Sequence, residues 1–212
     1  MILLIFGDSI GCGCWDEKGG WADRLRKIIY RKAIATSLDN ASAIYNLSID
    51  GDTSEWLLPR LETDIKKTRA RTSLEVAIIF AIGVNDSQFL NEKKEFLVPP
   101  DEFRANLQRL VGIAKKHTSK IIFLGLTPVD DSKVDPCPWV PERSYRNENV
   151  KKYNQIIKEE CSKNKVDFFE IFEKFSQADN KKLLIDGVHP NTQGHELIFE
   201  IVKDYLIKKK II

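Results

Sequence analysis

Short runs of β-branched and aromatic residues alternate with longer amphipathic stretches from one end of this chain to the other. The short runs ILLIF (2–6), AIYNLS (43–48), EVAIIFA (75–81), KIIFLGL (120–126) and VDFFEI (166–171) predict five strands. Between them, Phe103, Leu107, Leu110, Val111 and Ala114 recur at helical spacing, as do Val150, Tyr153, Ile156, Ile157 and Cys161. Leu197, Ile198, Ile201, Val202, Tyr205 and Leu206 draw a further stripe on a closing helix. Strands that alternate with helices predict an α/β fold, a parallel sheet covered on both faces.

Segment 127–144 breaks the rhythm. Pro128, Pro136, Pro138 and Pro141 forbid a continuous helix or a central strand there. It follows the fourth predicted strand, on the edge where open α/β sheets bind ligands. The chain has no internal repeat, Gly/Ser linker or low-complexity tract, so residues 1–212 are expected to form one domain.

Composition then narrows the partners. With 33 basic and 31 acidic residues the formal charge is +2, too balanced to point to nucleic acid or an anionic membrane. A small molecule is the expected partner. The apolar N-terminal stretch is shorter than a signal peptide's core and lacks its basic leader, and no apolar run of about 18 residues is present, so a cytoplasmic protein without membrane insertion is expected. Cys12, Cys14, Cys137 and Cys161 read as reduced thiols. Cys12 and Cys14 lack the C-x-x-C spacing and second pair of a metal knuckle, so no metal is expected. Oligomeric state is left open.

Candidate chemistry begins at Gly7-Asp8-Ser9, directly after the first strand. Ser9 there suits a nucleophile at the carboxyl edge of the sheet, or simply a helix cap. A nucleophilic serine needs a base and a group that orients the base. Of the three histidines, His117 ends the helix at 101–116, where it would face the negative end of the dipole. His195 lies inside the last helix. His189 sits in the loop Asp186-Gly187-Val188-His189-Pro190, where one tight turn can present the imidazole and hold the Asp186 carboxylate against its other nitrogen. The same residues also read as the turn that starts the last helix.

Acyl transfer further requires donors for the developing oxyanion. Gly51, in Ser48-Ile49-Asp50-Gly51-Asp52, offers an unobstructed backbone N–H, and Asn85, in Gly83-Val84-Asn85-Asp86, offers a side-chain amide. Either can be an ordinary turn residue. Together, the four elements follow strands one, two and three and precede the last helix, so one sheet edge would gather them.

These blocks, FGDSIG at 6–11, NLSIDGDTS at 46–54, GVND at 83–86 and DGVHPNTQGH at 186–195, resemble those of the GDSL, or SGNH, hydrolases. The resemblance spans nearly the whole chain. It implies a three-layer, flavodoxin-like fold, Ser9 as nucleophile, Asp186 and His189 as the base pair, and the Ser9 N–H, Gly51 and Asn85 as the oxyanion hole. It also implies an acyl-enzyme and no metal or organic cofactor. Ile10 replaces the usual Leu of GDSL, a near-isosteric exchange. The expected substrate is a small ester of short or medium acyl chain; aryl, thio- and acetyl-sugar esters stay open, as do acyl transfer and a non-catalytic binder of the same fold. Trp15, Trp21, Phe89, Trp139 and Tyr145 are candidates for an apolar pocket wall or for anchors of core and loops.

Overall fold

The computed structural model describes residues 1–38, 42–70 and 73–212, apart from the side chain at position 180. In chain order its strands are β1 (Ile2–Gly7), β2 (Ala43–Asn46), β3 (Val76–Ala81), β4 (Phe89–Leu90), β5 (Glu95–Phe96), β6 (Lys120–Leu124), β7 (Arg143–Ser144) and β8 (Asp167–Phe169). Its helices are α1 (Ser9–Cys12), α2 (Gly20–Ala35), α3 (Ser54–Arg69), α4 (Pro100–Lys115), α5 (Asp131–Val134), α6 (Asn147–Asn164), α7 (Phe172–Gln177), α8 (Asn180–Leu183) and α9 (Thr192–Lys208).

All five predicted strands form and join in one parallel sheet of order β2-β1-β3-β6-β8. That is the doubly wound order of flavodoxin-like folds. The two central strands are buried on both faces, with Leu4, Ile5, Phe6, Ile78, Ile79 and Phe80 at 0% exposure. This is why their sequences are nearly continuous apolar runs rather than alternating ones. One helical layer pairs α2 with α9 and the other packs α3, α4 and α6 side by side, giving the three-layer α/β fold. The apolar stripes of α4, α6 and α9 supply their buried faces, including Phe103, Leu110, Tyr153, Ile157 and Val202.

The strands stop short of three predicted ends: β2 at Asn46, β6 at Leu124 and β8 at Phe169. The residues beyond them leave the sheet to build loops. Just past β6 the Gly125 N–H still donates to the Phe169 carbonyl at 2.6 Å, an approach glycine permits because a Cβ there would lie 2.7 Å from the same oxygen. The Pro-rich segment holds more structure than its prolines foretell. It contains α5, and its last residues form β7, which joins β4 and β5 in a three-stranded antiparallel sheet. This second sheet lies beside the carboxyl edge of the first and carries part of the site.

Candidate active site

The backbone after β1 turns at once into α1, and the cap of that short helix is Asp8, whose carboxylate accepts the Ile10 N–H at 2.9 Å. Ser9 is therefore the first helical residue and not the cap, so its own N–H lies among the donors a helix start leaves without intrahelical partners. Its side chain meets His189, whose Nε2 stands 2.9 Å from the Ser9 Oγ across 180 residues of chain. On the other side of the ring, Nδ1 lies 2.6 Å from Asp186 Oδ2.

The loop that carries this pair is fixed from several directions. Asp186 Oδ1 accepts the N–H groups of Val188 and His189, both at 2.9 Å. Burial opposes the Asp186 charge, but these bonds and the imidazole outweigh it and hold the carboxyl below its usual range. Gly187 has φ +104°, and a Cβ on it would lie 2.9 Å from Lys133 and Val134 side-chain atoms. Only glycine fits this turn. Asn191 then caps α9 by accepting from the N–H groups of Gln193 and Gly194.

The other two histidines stay apart from the serine. His195 is fully buried in α9, and burial lowers its pKa to about 4. His117 lies just past α4, and burial with Arg69 nearby pushes its pKa down, the opposite of what a helix C-terminus alone would do.

Gly51 and Asn85 reach the same cleft as Ser9 and His189, a space of about 170 Å³ that Asp50, Gln88, Cys137, Trp139, Val140, Arg143 and Tyr145 complete. Gly51 is exposed at φ +75°, in a turn closed by the Asp52 N–H to the Ile49 carbonyl. Arg60 braces that turn, donating to the Leu47 carbonyl at 2.8 Å and to the Asp52 carboxylate. Asn85 is buried and held at both ends of its amide. Nδ2 donates to the Asp52 carbonyl at 3.0 Å, while Oδ1 accepts from Tyr145 Oη at 2.8 Å and Gln88 Nε2 at 3.1 Å. Beside it, Asp86 accepts from the Ser54 N–H at 3.0 Å and the Ser54 hydroxyl at 2.5 Å, which ties the turn after β3 to the start of α3. Burial raises the Asp86 pKa to about 7 and that of Asp8 likewise to about 7.

Of the five candidate aromatic residues, Trp139 and Tyr145 line the cleft. Trp15, at φ +64° and 67% exposed, sets its ring edge-on to His189 at 6.3 Å, and the Trp139 ring lies tilted to the same imidazole at 6.1 Å. Trp21 is instead a core residue at 0% exposure, and Phe89 packs edge-on against Phe96 beneath Arg146. Gln88 and Arg143 in the cleft carried no sequence signal of their own, nor did Arg60, which braces the Gly51 turn from outside it. Gln88 sits only three residues after Asn85, on the same turn, and that spacing was the available hint.

Cys12 and Cys14 are free and partly buried, and burial pushes the Cys12 thiol up to about 12. Among the described residues no cluster of three or more His, Cys, Asp or Glu is placed to hold a metal ion, and no helix is long and apolar enough to cross a membrane.

A family model described as the GDSL-like Lipase/Acylhydrolase family matches residues 5–197. The isoamyl acetate-hydrolyzing esterase 1 homolog of Bos taurus is 26% identical over an alignment that covers 99% of this chain and 82% of its own length. The isoamyl acetate-hydrolyzing esterase of Saccharomyces cerevisiae is 25% identical, with 93% and 82% covered. Among solved structures, a lipase/acylhydrolase from Enterococcus faecalis superposes with a TM-score of 0.72 at 21% identity, covering 98% of this chain and 96% of that one. An acetyl xylan esterase does so with a TM-score of 0.73 at 17% identity, covering 97% and 100%. At these identities the two structures speak for the fold.

Proposed function

Because this chain belongs to the GDSL-like lipase/acylhydrolase family and is a carboxylic ester hydrolase, we propose that it cleaves small esters through an acyl-enzyme formed on Ser9. The observation that carries the proposal is the unbroken line from Asp186 Oδ2 through the His189 ring to the Ser9 Oγ, with steps of 2.6 and 2.9 Å. Asp186 fixes the tautomer in which Nε2 accepts, and it stabilises the imidazolium once the serine proton has moved. Ser9 Oγ then attacks the ester carbonyl carbon. The developing oxyanion takes hydrogen bonds from the Ser9 N–H, the Gly51 N–H and the Asn85 Nδ2 hydrogen not given to Asp52. The imidazolium returns its proton to the leaving alcohol. Water, deprotonated by His189, releases the acid in a second round of the same steps.

The cleft's volume of about 170 Å³ lies below the roughly 300–1,000 Å³ of sites that enclose drug-sized ligands. An acetyl or other short acyl group suits that space, in keeping with the acetate named in the curated relatives. Hydrolysis of p-nitrophenyl acetate tests the proposal. The wild-type chain is expected to turn it over, and Ser9→Ala to lose up to roughly 10⁶-fold in kcat; undiminished turnover in that variant would refute it.

A further inference from the structure

Arg143 is the cationic side chain of the cleft, and its charge is not answered by any described acid. Arg24, Arg60, Arg104 and Arg146 each hold an acidic partner, namely Asp16, Asp52, Glu160 and Asp135. Arg143 forms no such pair among the described residues. Its Nη1 donates to Gln88 Oε1 at 3.2 Å, and its Nε is buried without a hydrogen-bond partner. A guanidinium carries five N–H donors in a planar fork matched to a carboxylate. The Nε is closed off, as Arg60 Nε also is, so the donors open to a ligand are the Nη groups of this partly buried side chain.

The other charges around the cleft do not cancel it. Asp186 is committed to His189, and Asp50 is exposed at the rim, where water screens it. Nor is the position of Arg143 casual. The pairing of β7 with β4, Leu90 opposite Arg143, sets its backbone beside the turn that carries Gln88 and Asn85. The cleft thus places one unanswered, fork-shaped cation in the same small space as Ser9, Asn85 and His189.

Building on the Ser9 reading above, we propose that Arg143 is a specificity residue and that the substrate is an anionic ester, one whose acyl or alcohol part bears a carboxylate within a few bonds of the scissile carbonyl. The guanidinium takes the carboxylate in a charge-assisted contact, which positions the ester carbonyl against Ser9 and the oxyanion donors. A neutral ester of the same size lacks this anchor and leaves Arg143 unpaired.

Two matched pairs of esters test this at neutral pH. Monoethyl succinate against ethyl pentanoate places the charge on the acyl side; O-acetylglycolate against propyl acetate places it on the alcohol side. In at least one pair the wild-type kcat/KM is expected to favour the anionic ester. Arg143→Gln should lower that anionic-to-neutral ratio by about 10- to 100-fold, the range of a hydrogen bond to a charged group, and Arg143→Lys should lower it less. The ratio is the readout because loss of the Gln88 contact can slow both esters together. No anionic preference in either pair, or an unchanged ratio in Arg143→Gln, overturns the inference. Those outcomes leave the Ser9 reading intact as long as neutral turnover still vanishes in Ser9→Ala.

Discussion

The Tyr145 hydroxyl donates to Asn85 Oδ1 at 2.8 Å across 60 residues of chain, and both groups are buried. This bond, with the one from Gln88, fixes which end of the Asn85 amide faces the cleft. The nitrogen end is left to donate. Burial keeps the Tyr145 phenol protonated far above neutral pH, so the donor persists over any working range.

Asn85→Ala should therefore lower kcat on the order of 10²–10³-fold, the cost of one oxyanion donor. Tyr145→Phe keeps Asn85 but removes one of the two donors to its Oδ1, and should cost roughly 2- to 10-fold in kcat, the scale of a single net hydrogen bond. KM should change little in either. Steady-state kinetics with p-nitrophenyl acetate checks both, and equal losses in the two variants would mean that Tyr145 and Asn85 act as one structural unit.

Asp186 predicts a second outcome. Its carboxylate both orients His189 and ties down the backbone of its own loop. Asp186→Asn retains an acceptor for those N–H groups but cannot enforce the tautomer, so kcat should fall on the order of 10⁴-fold. Thermal unfolding of the same variant separates lost chemistry from a lost loop. Activity within tenfold of wild type would show that the imidazole is oriented without it.

Asp86 gives a pH dependence whose sign follows from its burial. Its folded pKa is raised to about 7 from 3.8, so between those values the folded chain keeps a proton that the unfolded chain has released. Its contribution to stability therefore falls as pH rises through that window and is fully lost above about pH 7. Asp86→Asn keeps an acceptor for Ser54 and removes the titration. The Tm of this variant relative to wild type is expected to be higher at pH 8 than at pH 5; a constant difference would mean that Asp86 does not titrate in this window. Asp8, raised chiefly by burial and further by the Asp86 charge, titrates lower once that charge is gone, which moves the comparison in the same direction.

Much of this architecture was legible in the residues. Short runs rich in β-branched and aromatic residues located all five strands of the main sheet, most plainly the central ones, which are covered on both faces and leave no room for polar residues. Ser9, Asp186 and His189 were legible because each lies in a short turn next to a strong element, so local spacing placed them on one edge. Gly51 and Asn85 were legible as a set and not singly. What escaped was the second sheet. Strands of two residues, such as Phe89–Leu90 and Arg143–Ser144, carry no periodicity, and their pairing spans some fifty residues. The same long-range pairing hid Arg143 and the part Tyr145 plays behind Asn85. Trp21 and Phe89, readable as pocket wall or as anchor, fall on the anchoring side, since nearness to a motif along the chain does not fix the face on which a side chain lies.

The central claim is that Ser9 is an activated nucleophile, and the most direct test is covalent labelling. Incubation with a fluorophosphonate followed by intact-mass and peptide analysis should give one phosphonyl adduct, located on Ser9. Ser9→Ala should give none, and His189→Gln should label far more slowly. A wild-type chain that hydrolyses esters yet gains no adduct, or carries it on another residue, would contradict the account.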